Sequence, residues 1–204
     1  MGTPLPLGFI GLFFGTAAFS TLQLDWLAED QGRIVAAAVL AFAVPVQLVA
    51  CVFGILARDP IAGTGMGILT GTWSMIGVST LLGEPGATSP ALGVALILAG
   101  MAIFIPAIGG MAKKLAAAVM ILGGIRYIIT GIAEVSGASV WMAIAGWSGI
   151  ALAALAFYAA LGFSLEDAHH RPVIPVFRGD GAPGGDLDEE TSMLEREAGI
   201  RSQL

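Results

Sequence analysis

Six apolar stretches, each about as long as a helix needs to cross a bilayer, dominate this chain. They cover 7–24, 34–57, 64–83, 90–111, 115–135 and 139–163. About 20 consecutive apolar residues span a hydrocarbon core of about 30 Å. Inside that core every backbone N–H and C=O must find a partner within the protein, which helices achieve on their own. The expected fold is therefore an all-α integral membrane protein, a bundle of six transmembrane helices. A transmembrane β-barrel would show alternating segments of about ten residues, and the sequence has none. Charged residues make up 12% of the chain, about half the share usual in soluble domains. The first stretch reads as a span and not a cleaved signal, because no positive region precedes it.

The breaks between stretches are short and polar: "DWLAEDQGR", "RDPIAG", "GEPGATS", "AKK" and "VSGA". Connections this short make neighbouring helices antiparallel, and an even number of spans puts both termini on one side. That side carries Arg58, Lys113, Lys114, Arg171 and Arg178, against Arg33 alone on the other. Lysine and arginine accumulate in cytoplasmic loops, so both termini are expected in the cytoplasm and the protein in the cytoplasmic (inner) membrane. Residues 1–171 form the six-helix domain in this reading. Residues 172–204, rich in Pro, Gly and acids, form a largely disordered tail. Within that tail "TSMLEREAGI" has the makings of a short helix capped by Thr191 or Ser192. Cys51 is alone and forms no internal disulfide.

One residue violates the pattern. Arg126, in "ILGGIRYIITGIAE", has no acid within seven positions. Twelve residues beyond Lys114, it sits about 18 Å along its helix. A cation at that depth costs at least about 2.5–3.5 kcal/mol unless kinked-helix carbonyls, cavity water, an acid at another span's end or an anionic solute meets it. Glu134, eight positions on, is about 12 Å away along the helix, too far for a direct ion pair. Pro45 and Pro106 fall inside spans, where each removes a backbone hydrogen bond and kinks the helix. Gly11 and Gly15, and likewise Gly67 and Gly71, lie four apart and let helices approach closely.

Enzyme chemistry has no foothold here. No nucleophile–His–acid set, metal-ligand cluster or phosphate-binding loop occurs, and no cofactor or nucleic-acid partner is expected. His169 and His170, beside Glu166 and Asp167, read as a polar boundary where the last helix leaves the membrane. The partners expected are the lipid bilayer, further copies of the chain, and a small solute.

The opening "TPLPLGFIGLFFGTAAF" resembles the signature of the acetate uptake transporter family, the succinate–acetate permease group. Pro4, Pro6, Leu7, Gly8 and Gly11 match it, and Thr3 stands where the family has Asn. Gln47 matches a second-span glutamine. "AGTGMGILTGTWS" resembles the third-span stretch at Thr64 and Thr72, with Trp73 at the position of a tyrosine. "AGWSG" matches at Ala145, Gly146, Trp147 and Gly149, and Gly162, Arg171, Val173 and Pro175 fit the closing segment.

This resemblance implies a ring of six subunits, each passing small monocarboxylate anions such as acetate, and succinate as well. It also implies a hydrophobic constriction, which carried over falls at Leu12, Trp73 and Leu122. Thr16, Gln47, Thr72 and Arg126 are the expected polar lining of the pathway, with Ser20, Thr70 and Ser74 as further neutral donors. Arg126 is not part of the family's pattern. Two other readings stand beside this one: a channel for a neutral solute such as ammonia or urea, and a non-transporting membrane subunit whose acidic tail binds a partner.

Overall fold

A computed structural model describes residues 3–177; the tail helix expected near Thr191 and Ser192, and Arg178, lie outside the described residues. Eight α-helices follow one another: α1 (Leu5–Gln23), α2 (Gly32–Ala41), α3 (Ala43–Leu56), α4 (Met66–Leu82), α5 (Pro90–Ala102), α6 (Phe104–Gly109), α7 (Lys114–Ser136) and α8 (Ser139–His169). They combine into six helical units long and apolar enough to cross a membrane: Leu5–Gln23, Glu29–Leu56, Ile61–Leu82, Pro90–Gly109, Lys114–Ser136 and Ser139–His169. The chain is a multi-pass membrane protein.

The two expected kinks explain why eight helices make six spans. A proline at position i removes the N–H that would reach the carbonyl of i−4, and its ring crowds that turn. Pro45 accordingly divides the second span at Phe42, and Pro106 divides the fourth at Ile103, each three residues upstream. The third span opens on a wide π turn, Ile61–Gly65. Asp59 caps it: its Oδ1 accepts from the N–H groups of Ile61 and Ala62 at 3.0 and 3.1 Å. Its Oδ2 meets Lys113 Nζ at 2.6 Å, tying that turn to the start of α7. The final helix runs six residues past the apolar stretch, and Thr3 N–H donates to Asp167 Oδ2 at 2.9 Å. This contact puts the start and end of the bundle on one face, called the proximal face below. Residues 173–177 fold back on that face: Tyr158 donates to the Pro175 carbonyl at 2.9 Å, and Val176 is buried.

α1 packs most extensively on α8, and α5 on α7. The α5–α7 seam is made by glycines on both sides. A methyl group at Gly93 would lie 2.7 Å from the Gly131 carbonyl oxygen, and one at Gly100 would lie 2.7 Å from that of Gly124. Each pair of glycines is seven residues apart on its own helix, the repeat of left-handed antiparallel packing. The neighbouring Gly123 differs, since a Cβ there would meet only Leu152 Cδ2 at 3.9 Å. Two adjacent glycines thus predict opposite outcomes. Gly124→Ala should destabilise by about 1–3 kcal/mol through overpacking, whereas Gly123→Ala should be neutral or gain up to about 1 kcal/mol of helix propensity. Melting of the two variants in detergent checks this, and equal behaviour would contradict the seam.

Candidate functional site

On the face opposite the termini, the bundle opens into a cavity of about 300 Å³. Its wall is built from the end of α1, the start of α2, the end of α4, the 83–89 loop and the C-terminal half of α7. Asp25, Glu29, Arg33 and Glu84 belong to this lining, and Arg33 Nη2 donates to the Gly83 carbonyl at 3.3 Å. The floor is set deep by Phe19, Trp73, Leu96 and Arg126, all of them buried. Phe19 stacks on Trp73 with ring centroids 5.8 Å apart, and Tyr127 meets Trp73 edge-on at 6.2 Å. These three rings close the way inward.

Arg126 projects from the middle of α7 and is 1% exposed. The guanidinium leans toward the C-terminal half of its helix. Its Nη1 lies 3.5 Å from Thr130 Oγ1, one turn on, and its Nη2 donates to Gln23 Oε1 at 3.0 Å. Both oxygens are neutral. Among the described residues the recorded ion pair is Lys113–Asp59, on the other face, so no carboxylate neutralises Arg126. Its Nε has no hydrogen-bond partner among the described residues. Space for the group comes from Gly149 on α8: a Cβ there would sit 2.6 Å from Nε and closer still to Ser20 Oγ. The glycine of "AGWSG" therefore makes room for a charged side chain on the facing helix.

Farther down, one face of α1 continues at helical spacing through the polar Gln23, Ser20 and Thr16 to Leu12 and Gly8. Ser20 donates back to the Thr16 carbonyl at 2.7 Å. Gln47 Nε2 donates to the Gly8 carbonyl at 3.3 Å. Thr16 Oγ1, Gln47 Oε1, Trp73 Nε1 and Tyr127 OH are buried with no partner among the described residues. A Cβ at Gly15 would meet the Trp73 indole at 2.8 Å, so the ring lies flush against α1. Each unpaired buried polar atom costs about 1–3 kcal/mol, and they are concentrated in this one region of the bundle.

The residues singled out from sequence divide into groups. Trp73 and Arg126 meet at the cavity floor. Leu12, Thr16 and Gln47 are fully buried deeper inside. Thr72 is also buried, but its hydroxyl donates to the Ile68 carbonyl of its own helix at 2.8 Å. Thr70 and Ser74 do the same, to Met66 and Thr70 carbonyls. In an apolar surrounding a hydroxyl satisfies itself on the preceding turn, which leaves these three with their donors occupied. Leu122 is half-buried and packs against the core from α7.

Four participants escaped the sequence reading: Gln23, Thr130, Phe19 and Tyr127. Thr130 was available as the i+4 neighbour of Arg126. Gln23 was not, because it arrives from another helix. The recorded contacts of Arg126, a hydroxyl on its own helix and an amide at the end of another span, are not among the stabilisers expected from the sequence.

Among solved structures, the chain is similar to one described as the structure of the bacterial acetate channel SatP. The TM-score is 0.75 at 21% identity, and the alignment covers 87% of this chain and 99% of that one. At this identity the likeness establishes a shared fold. No protein-family model matches the sequence, and no curated protein does either.

The fit of Arg126 against Gly149 is directly testable. Gly149→Ala should lower stability by about 1–3 kcal/mol. In a double-mutant cycle with Arg126→Gln, whose shorter side chain withdraws from α8, a coupling of at least about 0.5 kcal/mol is expected. Strict additivity in detergent melts would show that the guanidinium does not occupy that space.

Proposed function

We propose that each subunit carries a pathway for small carboxylates, the monocarboxylate acetate foremost and the dicarboxylate succinate as a larger candidate. The pathway runs from the cavity past Phe19 and Trp73 and along the Thr16–Leu12–Gln47 face of α1 to the proximal side. One observation carries this reading: a buried guanidinium without an acidic partner, at the floor of a cavity that reaches the surface. Desolvated cations need an anion or dense hydrogen bonding. A carboxylate arriving in the cavity provides the first through a charge-assisted bond. Conduction also requires that the solute leave again, and the neutral, unpaired atoms of Thr16, Gln47 and Trp73 offer such weak successive contacts.

The shared fold with a structure described as an acetate channel supports the choice of solute. The lysines and arginines of the proximal loops support a cytoplasmic location for both termini and insertion in the inner membrane. The subunits assemble as a ring of six in this reading. Supporting that, α2 and α3 leave a broad apolar face exposed, including Leu48, Val52, Phe53 and Leu56, and Gly71 on α4 has nothing within 4 Å of a Cβ built there. Leu12 and Leu122 remain assigned to the constriction with Trp73. The protein acts as a conduit and not as an enzyme.

Proteoliposomes loaded with the purified protein should take up labelled acetate faster than empty ones. Arg126→Gln should reduce that uptake about tenfold or more, the equivalent of one charge-assisted hydrogen bond of about 1.5–3 kcal/mol. Trp73→Phe, which trims the ring stacked on Phe19, should leave uptake intact or raise it. Equal uptake by loaded and empty vesicles would end the carboxylate reading. Uptake indifferent to Arg126→Gln, and not competed by acetate, would favour a neutral solute instead.

A further inference from the structure

The same cavity holds a second charge at the opposite pole from Arg126. Glu134, two turns along α7, also lines it and is half-buried. Its Oε2 accepts the Ser89 N–H at 2.8 Å, at the N-terminus of α5, where a helix dipole favours a negative group. That N–H is the hydrogen bond recorded for it, and among the described residues no lysine or arginine lies within ion-pair distance. Arg126, Thr130 and Glu134 stand at i, i+4 and i+8 on one face of α7 and all reach the cavity. The result is a dipolar pocket: cation at the floor, hydroxyl midway, anion toward the rim.

Acetate alone complements only half of this arrangement. Its carboxylate suits Arg126, but it approaches past Glu134, and past Asp25, Glu29 and Glu84 in the same lining, where Arg33 is the basic group besides Arg126. Like charges with that surplus weaken the attraction of simple anions without barring them. We propose that the cavity binds a short zwitterionic aminocarboxylate, its carboxylate on the Arg126 guanidinium and its ammonium on Glu134. This rests on the reading that Arg126 receives a solute carboxylate.

The two Cα atoms lie eight residues apart, about 12 Å along the helix, and both side chains line one cavity of about 300 Å³. This bounds the solute to a short one, with glycine and β-alanine, one and two carbons between the charged groups, as its simplest members. Thr130 Oγ1, an acceptor and donor, lies between the two poles.

Calorimetric titration of the purified full-length protein in detergent tests this with isosteric pairs: glycine against acetate, and β-alanine against propionate. In the wild type each amino acid should bind about tenfold or more tightly than its partner lacking the ammonium, the margin of a charge-assisted contact. Glu134→Gln retains an oxygen for the Ser89 N–H but removes the charge, and should abolish that preference while leaving acetate binding equal or stronger. Arg126→Gln should weaken all four ligands. Equal binding within each pair, tighter binding of acetate than glycine, or an amino-acid preference that survives Glu134→Gln would each overturn the proposal. Acetate uptake by proteoliposomes separates the two readings: uptake without an amino-acid preference refutes the zwitterion site alone, and absent uptake refutes the carboxylate pathway beneath it.

Discussion

Burying a guanidinium among apolar helices, with no acid to neutralise it, is the constraint around which the interior is arranged. Arginine keeps its charge throughout the physiological range, so the surroundings must adapt to it. They do so from three helices. α1 ends one turn beyond the level of Ser20 with Gln23, whose amide oxygen takes Nη2. α7 supplies Thr130 from its own next turn. α8 contributes an absence of side chain at Gly149. Neither oxygen carries a formal charge, and among the described residues the Nε–H finds no acceptor. A structural arginine designed only to hold helices together would be expected to have every donor engaged.

Glycine makes this arrangement compatible with a tight bundle. Without a hydrophobic driving force between helices in lipid, close backbone approach supplies much of the association. At Gly93–Gly131 and Gly100–Gly124 the carbonyls of one helix rest where a side chain would otherwise be. This locks α5 to α7 and fixes α7 about its axis, which aims Arg126, Thr130 and Glu134 at the cavity and not at lipid. At Gly15 the removed side chain admits the Trp73 indole instead. The same residue type therefore serves two ends, contact in one seam and room for a large ring in another.

Much of the architecture was legible in the sequence because it depends on local properties. Span number follows from the length of apolar runs, and both kinks follow from Pro45 and Pro106, since the lost N–H and the ring clash act within one turn. The glycine pairs first noticed, Gly11 with Gly15 and Gly67 with Gly71, were a weaker guide. Gly11 and Gly15 sit at close contacts, but Gly71 faces open space, and the seam of α5 and α7 is spaced by seven and not four. Arg126 stood out at once, yet its partners did not. Only the fold brings residue 23 to residue 126, and no periodicity along either helix encodes that meeting.

The hydroxyls show why residue type alone does not identify a pathway. Thr70, Thr72, Ser74 and Thr80 all return their protons to carbonyls four residues back, which is the default for a hydroxyl in hydrocarbon. A solute passing them would find donors already engaged. Thr16 is the exception on α1: its Oγ1 makes no such bond, although its own carbonyl is taken by Ser20. Together with Gln47 Oε1, Trp73 Nε1, Tyr127 OH and Arg126 Nε it belongs to a set of buried polar atoms for which the folded chain provides no partner. Folding tolerates such atoms only where something else meets them, and in a membrane interior that is water or a polar solute. These atoms, more than the presence of threonines in the spans, are what supports the proposed pathway.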